Sequence, residues 1–129
     1  MKKIAIVGSR SFNNYDLLEK TLKTVYKNNK IGKIISGGAS GADTLAERFA
    51  KENNIQTEIF LPDWNKYGKS AGFIRNNDII KAANFVFIFW DGKSKGTKHD
   101  IELCFKYKKS HLMIFFNKPT SSSEKQVKQ

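Results

Sequence analysis

Five short apolar runs punctuate the chain: Ile4–Val7, Lys33–Ser36, Thr57–Leu61, Phe85–Trp90 and Leu112–Phe116. Four are nearly continuous in Ile, Val, Phe or Leu, the pattern of parallel strands covered on both faces. Thr57-Glu58-Ile59-Phe60 mixes polar and apolar positions and predicts a sheet edge. Helical spacing fills the gaps. Leu18, Leu22, Val25 and Tyr26 recur between the first two runs, with Asn13 or Asn14 placed to cap. Ala42, Leu45, Ala46, Phe49 and Ala50 follow the i, i+3, i+4, i+7, i+8 pattern of an amphipathic helix. A loop with Pro62, Trp64 and Gly68 leads into a helix over about 71–83, and Thr97–Lys108 carries Ile101, Cys104 and Phe105 on one side, with Thr97 as N-cap.

Strands alternating with helices build right-handed βαβ units. The fold class is therefore α/β: a Rossmann-like three-layer sandwich of about five parallel strands with helices on both faces. Residues 1–116 form one domain. After Phe116 the chain turns serine- and lysine-rich without periodicity, and 117–129 reads as a disordered polar tail.

Composition narrows the setting. The net charge is +11, which attracts polyanions, although many lysines (Lys20, Lys23, Lys27) fall on one helix where they form a solvated face. Cys104 is the only cysteine, so no intrachain disulfide exists and a reducing, cytoplasmic location is expected. The apolar run after Met1-Lys2-Lys3 is too short for a signal sequence, and no stretch suggests a membrane partner.

In an open parallel sheet, ligands gather at the carboxyl ends of the strands. Three polar, glycine-bearing turns fall there: Gly8-Ser9-Arg10-Ser11, Ser36-Gly37-Gly38-Ala39-Ser40-Gly41-Ala42-Asp43, and Asp91-Gly92-Lys93-Ser94-Lys95-Gly96-Thr97. The second is neither a Walker loop nor a GxGxxG turn, yet its backbone amides precede a helix N-terminus, the makings of a phosphate-binding loop. On this reading Gly37–Gly41 faces the ligand, and a side chain at Gly38 would occupy ligand space. Its alternative is a tight connection capped by Ser40 or Asp43. Asp43 suits ordering of the loop or a ribose hydroxyl better than a phosphate. Arg10 supplies a planar fork for phosphate, and Arg75-Asn76 reaches the same rim if its helix starts there; the plainer readings are a surface salt bridge for Arg10 and a solvated arginine for Arg75. Thr97 is a cap or a phosphate contact. Asp91 is a polar contact or weak base, and Trp90 a core residue or a stacking ring. His99, Asp100 and Glu102 point in different directions on a helix and do not form a metal site. No metal and no cofactor are expected.

Together these pieces, with Asp63-Trp64, Tyr67-Gly68-Lys69, Ala71-Gly72 and Phe89-Trp90-Asp91-Gly92, resemble the YspA-like, YpsA-related branch of the SLOG superfamily, in order over roughly residues 3–116. The resemblance implies a Rossmann-like domain that binds nucleotides or nucleotide-derived ligands. It also implies kinship with the Lonely Guy phosphoribohydrolases and the DNA-processing protein A family, which loads recombinase onto single strands. Superfamily relatives commonly dimerise, so a homodimer is an expectation of the resemblance. The phosphoribohydrolases carry a glutamate three residues after their glycine-threonine pair. Here Asp100 stands in that place, one methylene shorter, and a misplacement of about 1 Å costs on the order of 100-fold in rate.

Three functions follow in order. The first is a sensor or sequestering module for a nucleotide-like small molecule. The second is a phosphoribohydrolase cleaving the N-glycosidic bond of a nucleoside 5′-monophosphate, with Asp100 or Asp91 stabilising the ribosyl cation. The third is single-stranded nucleic-acid binding, less favoured because no aromatic platform stands out beyond Trp64 and Tyr67 beside Lys66 and Lys69.

Overall fold

The computed structural model describes residues 2–26 and 31–116, so the expected tail at 117–129 lies outside the described residues. Strands β1 (Lys2–Gly8), β2 (Ile31–Ser36), β3 (Gln56–Ile59), β4 (Phe85–Trp90) and β5 (Ser110–Phe115) form one sheet in the order β3-β2-β1-β4-β5. Each neighbouring pair is parallel. The short, polar β3 is an edge, as its mixed pattern predicts.

Alternation along each strand divides the core into two halves. Ile4, Ile6, Phe87 and Phe89 face helices α1 (Tyr15–Val25) and α2 (Ala42–Glu52). Ala5, Val7, Val86 and Ile88 face α4 (Ala71–Ala82) and α5 (Lys95–Lys106). Covering both faces of the sheet explains why β1 and β4 are apolar without alternation. Between β3 and α4 the chain makes the single-turn α3 (Trp64–Tyr67) and a 3₁₀ turn (Gly68–Ser70). No helix among the described residues is long and apolar enough to cross a membrane.

Asn14 is the cap of α1: its Oδ1 accepts from the Leu17 amide at 3.0 Å. Asn14→Ala is expected to cost about 1 kcal/mol of stability, read as a lower urea midpoint at unchanged m-value. Val25 and Phe105, expected on apolar faces, are exposed, and Leu103 takes the inner position on α5 beside Cys104. Helix α5 also starts earlier than Thr97. Asp91 Oδ1 accepts from the amides of Lys93 and Ser94 at 2.8 Å each, which closes the turn and makes Ser94 the N-cap. Thr97 is buried in the first turn instead of capping it.

Candidate functional site

The strand order reverses at β1. Chain leaving β1 passes to α1 on one face, and chain leaving β4 passes to α5 on the other, so a crevice opens between their carboxyl ends. A cleft of about 430 Å³ lies there. Of the residues expected at the site, Gly8, Ser9, Arg10, Ala39, Asp43, Arg75, Asn76, Asp91, Gly96, Thr97 and Asp100 line it. Gly37, Gly38, Ser40, Gly41 and Gly92 do not. Ser11 and Ser94, members of the first and third turns not singled out individually, line it too, and so do Val7 and Ile79, which were not expected. Ser94 had a legible signal: a serine three residues after an aspartate, across a glycine, is turn chemistry.

The β2–α2 turn differs from its expected role. Its amides are largely engaged within the protein: Gly38 N donates to Ser36 Oγ (3.3 Å), Ala39 N to Asp43 Oδ2 (3.0 Å), and Ala42 N to Ser9 O (3.4 Å). Gly38 has φ +73°, and a Cβ there would meet Leu61 Cδ2 at 2.7 Å and Ile59 Cγ2 at 3.1 Å. A side chain at Gly38 therefore points towards β3 and not into ligand space. Gly37 is the glycine that touches the site, since a Cβ on it would press against the Arg75 guanidinium and the Asp43 carboxylate. Asp43 orders the loop, the plainer of its two expected roles.

Arg75 braces this turn from α4. Its Nη1 donates to Gly37 O at 2.6 Å and its Nε to Asn76 Oδ1 at 2.9 Å. Across the crevice, Ser9, Asp91 and Ser94 tie β1 to the α5 turn. Asp91 N donates to Ser9 Oγ (3.2 Å), and Ser94 Oγ lies 3.0 Å from Ser9 Oγ and 3.1 Å from Asp91 Oδ1. Beyond this knot α5 begins. Its first amides have no acceptor within the helix, and Gly96 and Thr97 of that turn line the cleft. Trp90 leans on the same turn, its indole N–H donating to Ser94 O at 3.1 Å.

Three carboxyls experience different surroundings. Burial raises Asp91, but the bonds accepted from Ser94 and Lys93 outweigh it and hold the group below its ordinary value. Burial lifts Asp43 to about 6 against the Ala39 amide and the Arg75 charge. Burial and the Asp43 charge lift Asp100 to about 8, with Arg75 opposing. Asp100 is 5% exposed, and its Oδ1 has no hydrogen-bond partner among the described residues. Neighbouring His99 turns onto Phe73, edge to face, with ring centroids 4.8 Å apart. Among the described residues no group of His, Cys, Asp and Glu is arranged to hold a metal ion.

At the β3 end of the same rim, Leu61, Trp64, Tyr67 and Phe73 are exposed, and Lys66 Nζ stands 5.1 Å from the centre of the Tyr67 ring. Open rings beside ammonium groups form the kind of surface on which bases stack. The sequence shows these rings, but not that they stay outside the core.

Residues 2–67, from β1 to α3, match the YspA, cpYpsA-related SLOG family. The Gene 61 protein of Mycobacterium phage D29 is 32% identical over 106 residues, covering 77% of this chain and 85% of that protein. Among solved structures, DNA processing protein A of Streptococcus pneumoniae superposes with a TM-score of 0.71 at 22% identity, over 95% of this chain. This chain spans 52% of that protein, about half its length. DNA processing protein A of Helicobacter pylori, described for its single-stranded DNA binding mode, gives 0.70 at 22% identity, over 98% of this chain and 71% of that one.

Proposed function

We propose that this chain, which belongs to the YspA, cpYpsA-related SLOG family, binds the phosphate end of a nucleotide or nucleotide derivative in the cleft between β1 and β4. The observation that carries the reading is the opening of α5 into this cleft, which two arginines, Arg10 and Arg75, also line. Free first-turn amides and the positive end of the helix dipole favour an anion at Gly96 and Thr97. The arginines add charge-assisted bonds. The seat of the phosphate is thus the third glycine-bearing turn with help from the first, while the second turn is a braced wall. A module that binds without turnover acts as a sensor or a sink.

Thermal shift and calorimetry against AMP, ADP-ribose and cyclic mononucleotides test it. A ligand selective for the folded state adds about 2.7 kcal/mol at a concentration 100 times its Kd, so at least one should raise Tm by several degrees. No stabilisation by any of them at millimolar concentration overturns the reading.

One observation favours a second reading, cleavage of the N-glycosidic bond of a nucleoside monophosphate. Asp91 is held ionised while Asp100 is held protonated at neutral pH, and a pair of carboxyls driven apart in this way divides into base and acid. Release of free adenine from AMP by the wild type, lost in Asp100→Ala, supports it. Intact AMP after prolonged incubation with saturating protein rules it out.

A further inference from the structure

Asp43 and Asp100 come from helices on opposite faces of the sheet, α2 and α5, and both line the same cleft. The two carboxyls are close enough for the charge of one to act on the other, and the Arg75 charge acts on both. Each is more than nine-tenths buried, and Asp100 Oδ1 has no partner among the described residues. Two buried like charges on the wall of an anion site oppose both each other and the anion. Resting on the nucleotide reading above, we propose that the Asp43–Asp100 pair is a proton gate: it must keep one proton for a phosphate ester to occupy the cleft, so ligand and proton bind together.

Other charged and titratable groups surround the pair. From the β1–α1 turn comes Arg10, and from the β4–α5 turn Asp91. From α4 comes Arg75, and on α2 Glu47 sits one turn behind Asp43 and raises it further. On α5, Cys104 lies one turn below Asp100, its thiol pushed up to about 12 by burial and the Asp100 charge, and so neutral throughout. His99 faces Phe73, its Nδ1 buried without a partner among the described residues, and His111 of β5 faces Phe105. The strand residues Ala5–Gly8 and Phe85–Trp90, against which α5 packs, carry no charge. With both carboxyls ionised, two buried negative charges share the single Arg75 charge that acts on them. With one proton held, Arg75 faces one of them and a phosphate is admitted. The pair titrates as a unit, both steps raised above the ordinary carboxylate range by burial, and the upper one further by the repulsion between the two carboxylates. Only the upper step removes the last proton.

By linkage, affinity is level below the upper step and falls by up to about tenfold per pH unit above it. The experiment measures AMP binding by calorimetry from about pH 7.5 to about pH 9.5. The AMP phosphate is already a dianion there, because its second ionisation lies at about 6. Wild-type affinity is expected to fall by about tenfold or more over this range, with proton uptake seen as a dependence of binding heat on buffer ionisation enthalpy. Asp100→Asn keeps the shape of the acid and the charge of the singly protonated pair, so the variant's affinity, whatever its level, should vary by less than about twofold with pH across the range. A merely structural role for Asp100 would leave the slope in place. A wild-type affinity that is flat with pH, or a variant that falls as steeply as wild type, overturns the gate while leaving nucleotide binding intact. Absence of AMP and ADP-ribose binding at every pH overturns the nucleotide reading and the gate with it.

Discussion

Replacing Arg75 by alanine is expected to weaken AMP binding by roughly 30-fold, about 2 kcal/mol, the usual worth of a hydrogen bond to a charged group. The guanidinium has two tasks at once. It holds the β2–α2 turn through Gly37 O and steadies itself on Asn76, and its charge faces Asp43 and Asp100 across the cleft. Removing it leaves two buried carboxyls without a counter-charge in the place where an anion must sit, so the loss should be larger at alkaline pH than at neutral pH. Arg75→Lys restores the charge but not the planar fork, and should recover only part of the affinity. Lys23→Ala is the control. That ammonium lies in the last turn of α1, is paired with Glu19 at 3.1 Å and is solvent-screened, so its loss should leave affinity within about twofold. An Arg75→Ala protein that binds AMP as tightly as wild type would make the arginine a strut for the turn and nothing more.

How far the sequence discloses this site depends on how local each feature is. The strands were legible because β1 and β4 must be apolar at consecutive positions to be covered on both faces. The fold class followed from their alternation with amphipathic helices, of which α2 is the plainest. Arg10 and Arg75 were legible as members of one rim because every strand of a parallel sheet delivers its carboxyl end to the same side. The start of α5 was misplaced: Ser94 is at least as good an intrinsic cap as Thr97, and the Asp91 carboxylate collects two amides and closes the turn three residues earlier. The direction of Gly38 was hidden for a similar reason: a positive φ tells that a glycine is needed, not which way the missing side chain would point. Least legible of all was the meeting of Asp43 with Asp100. They belong to different helices on different faces, and only the strand order, with β4 beside β1, brings them to one cleft.

Gly41→Val is expected to have the largest effect on the fold itself, about 3 kcal/mol or more of lost stability, or failure to fold. Gly41 has φ +78°, a region in which a β-branched residue is strained by itself. A Cβ at Gly41 would also collide with the carbonyl oxygens of Ser9 and Arg10, where the β2–α2 turn lies against the chain leaving β1. Those obstacles are backbone, so no rotamer change relieves them. Ala42 N donates to Ser9 O at the same crossing, so pushing the turns apart breaks that bond as well and opens the wall on which Asp43 stands. Gly41→Ala keeps the collision and most of the strain, and should lose a smaller but clear part of the stability. Gly96 provides the opposite case within the same cleft. It lies in the first turn of α5, and a Cβ there would meet nothing within 4 Å, so Gly96→Ala should stabilise the protein by about 0.5 kcal/mol through the unfolded chain. Urea denaturation of the three variants at one pH gives the ranking. A Gly41→Val protein as stable as Gly96→Ala would mean that the two turns do not meet in solution as they do here, and the cleft between them would lose its wall.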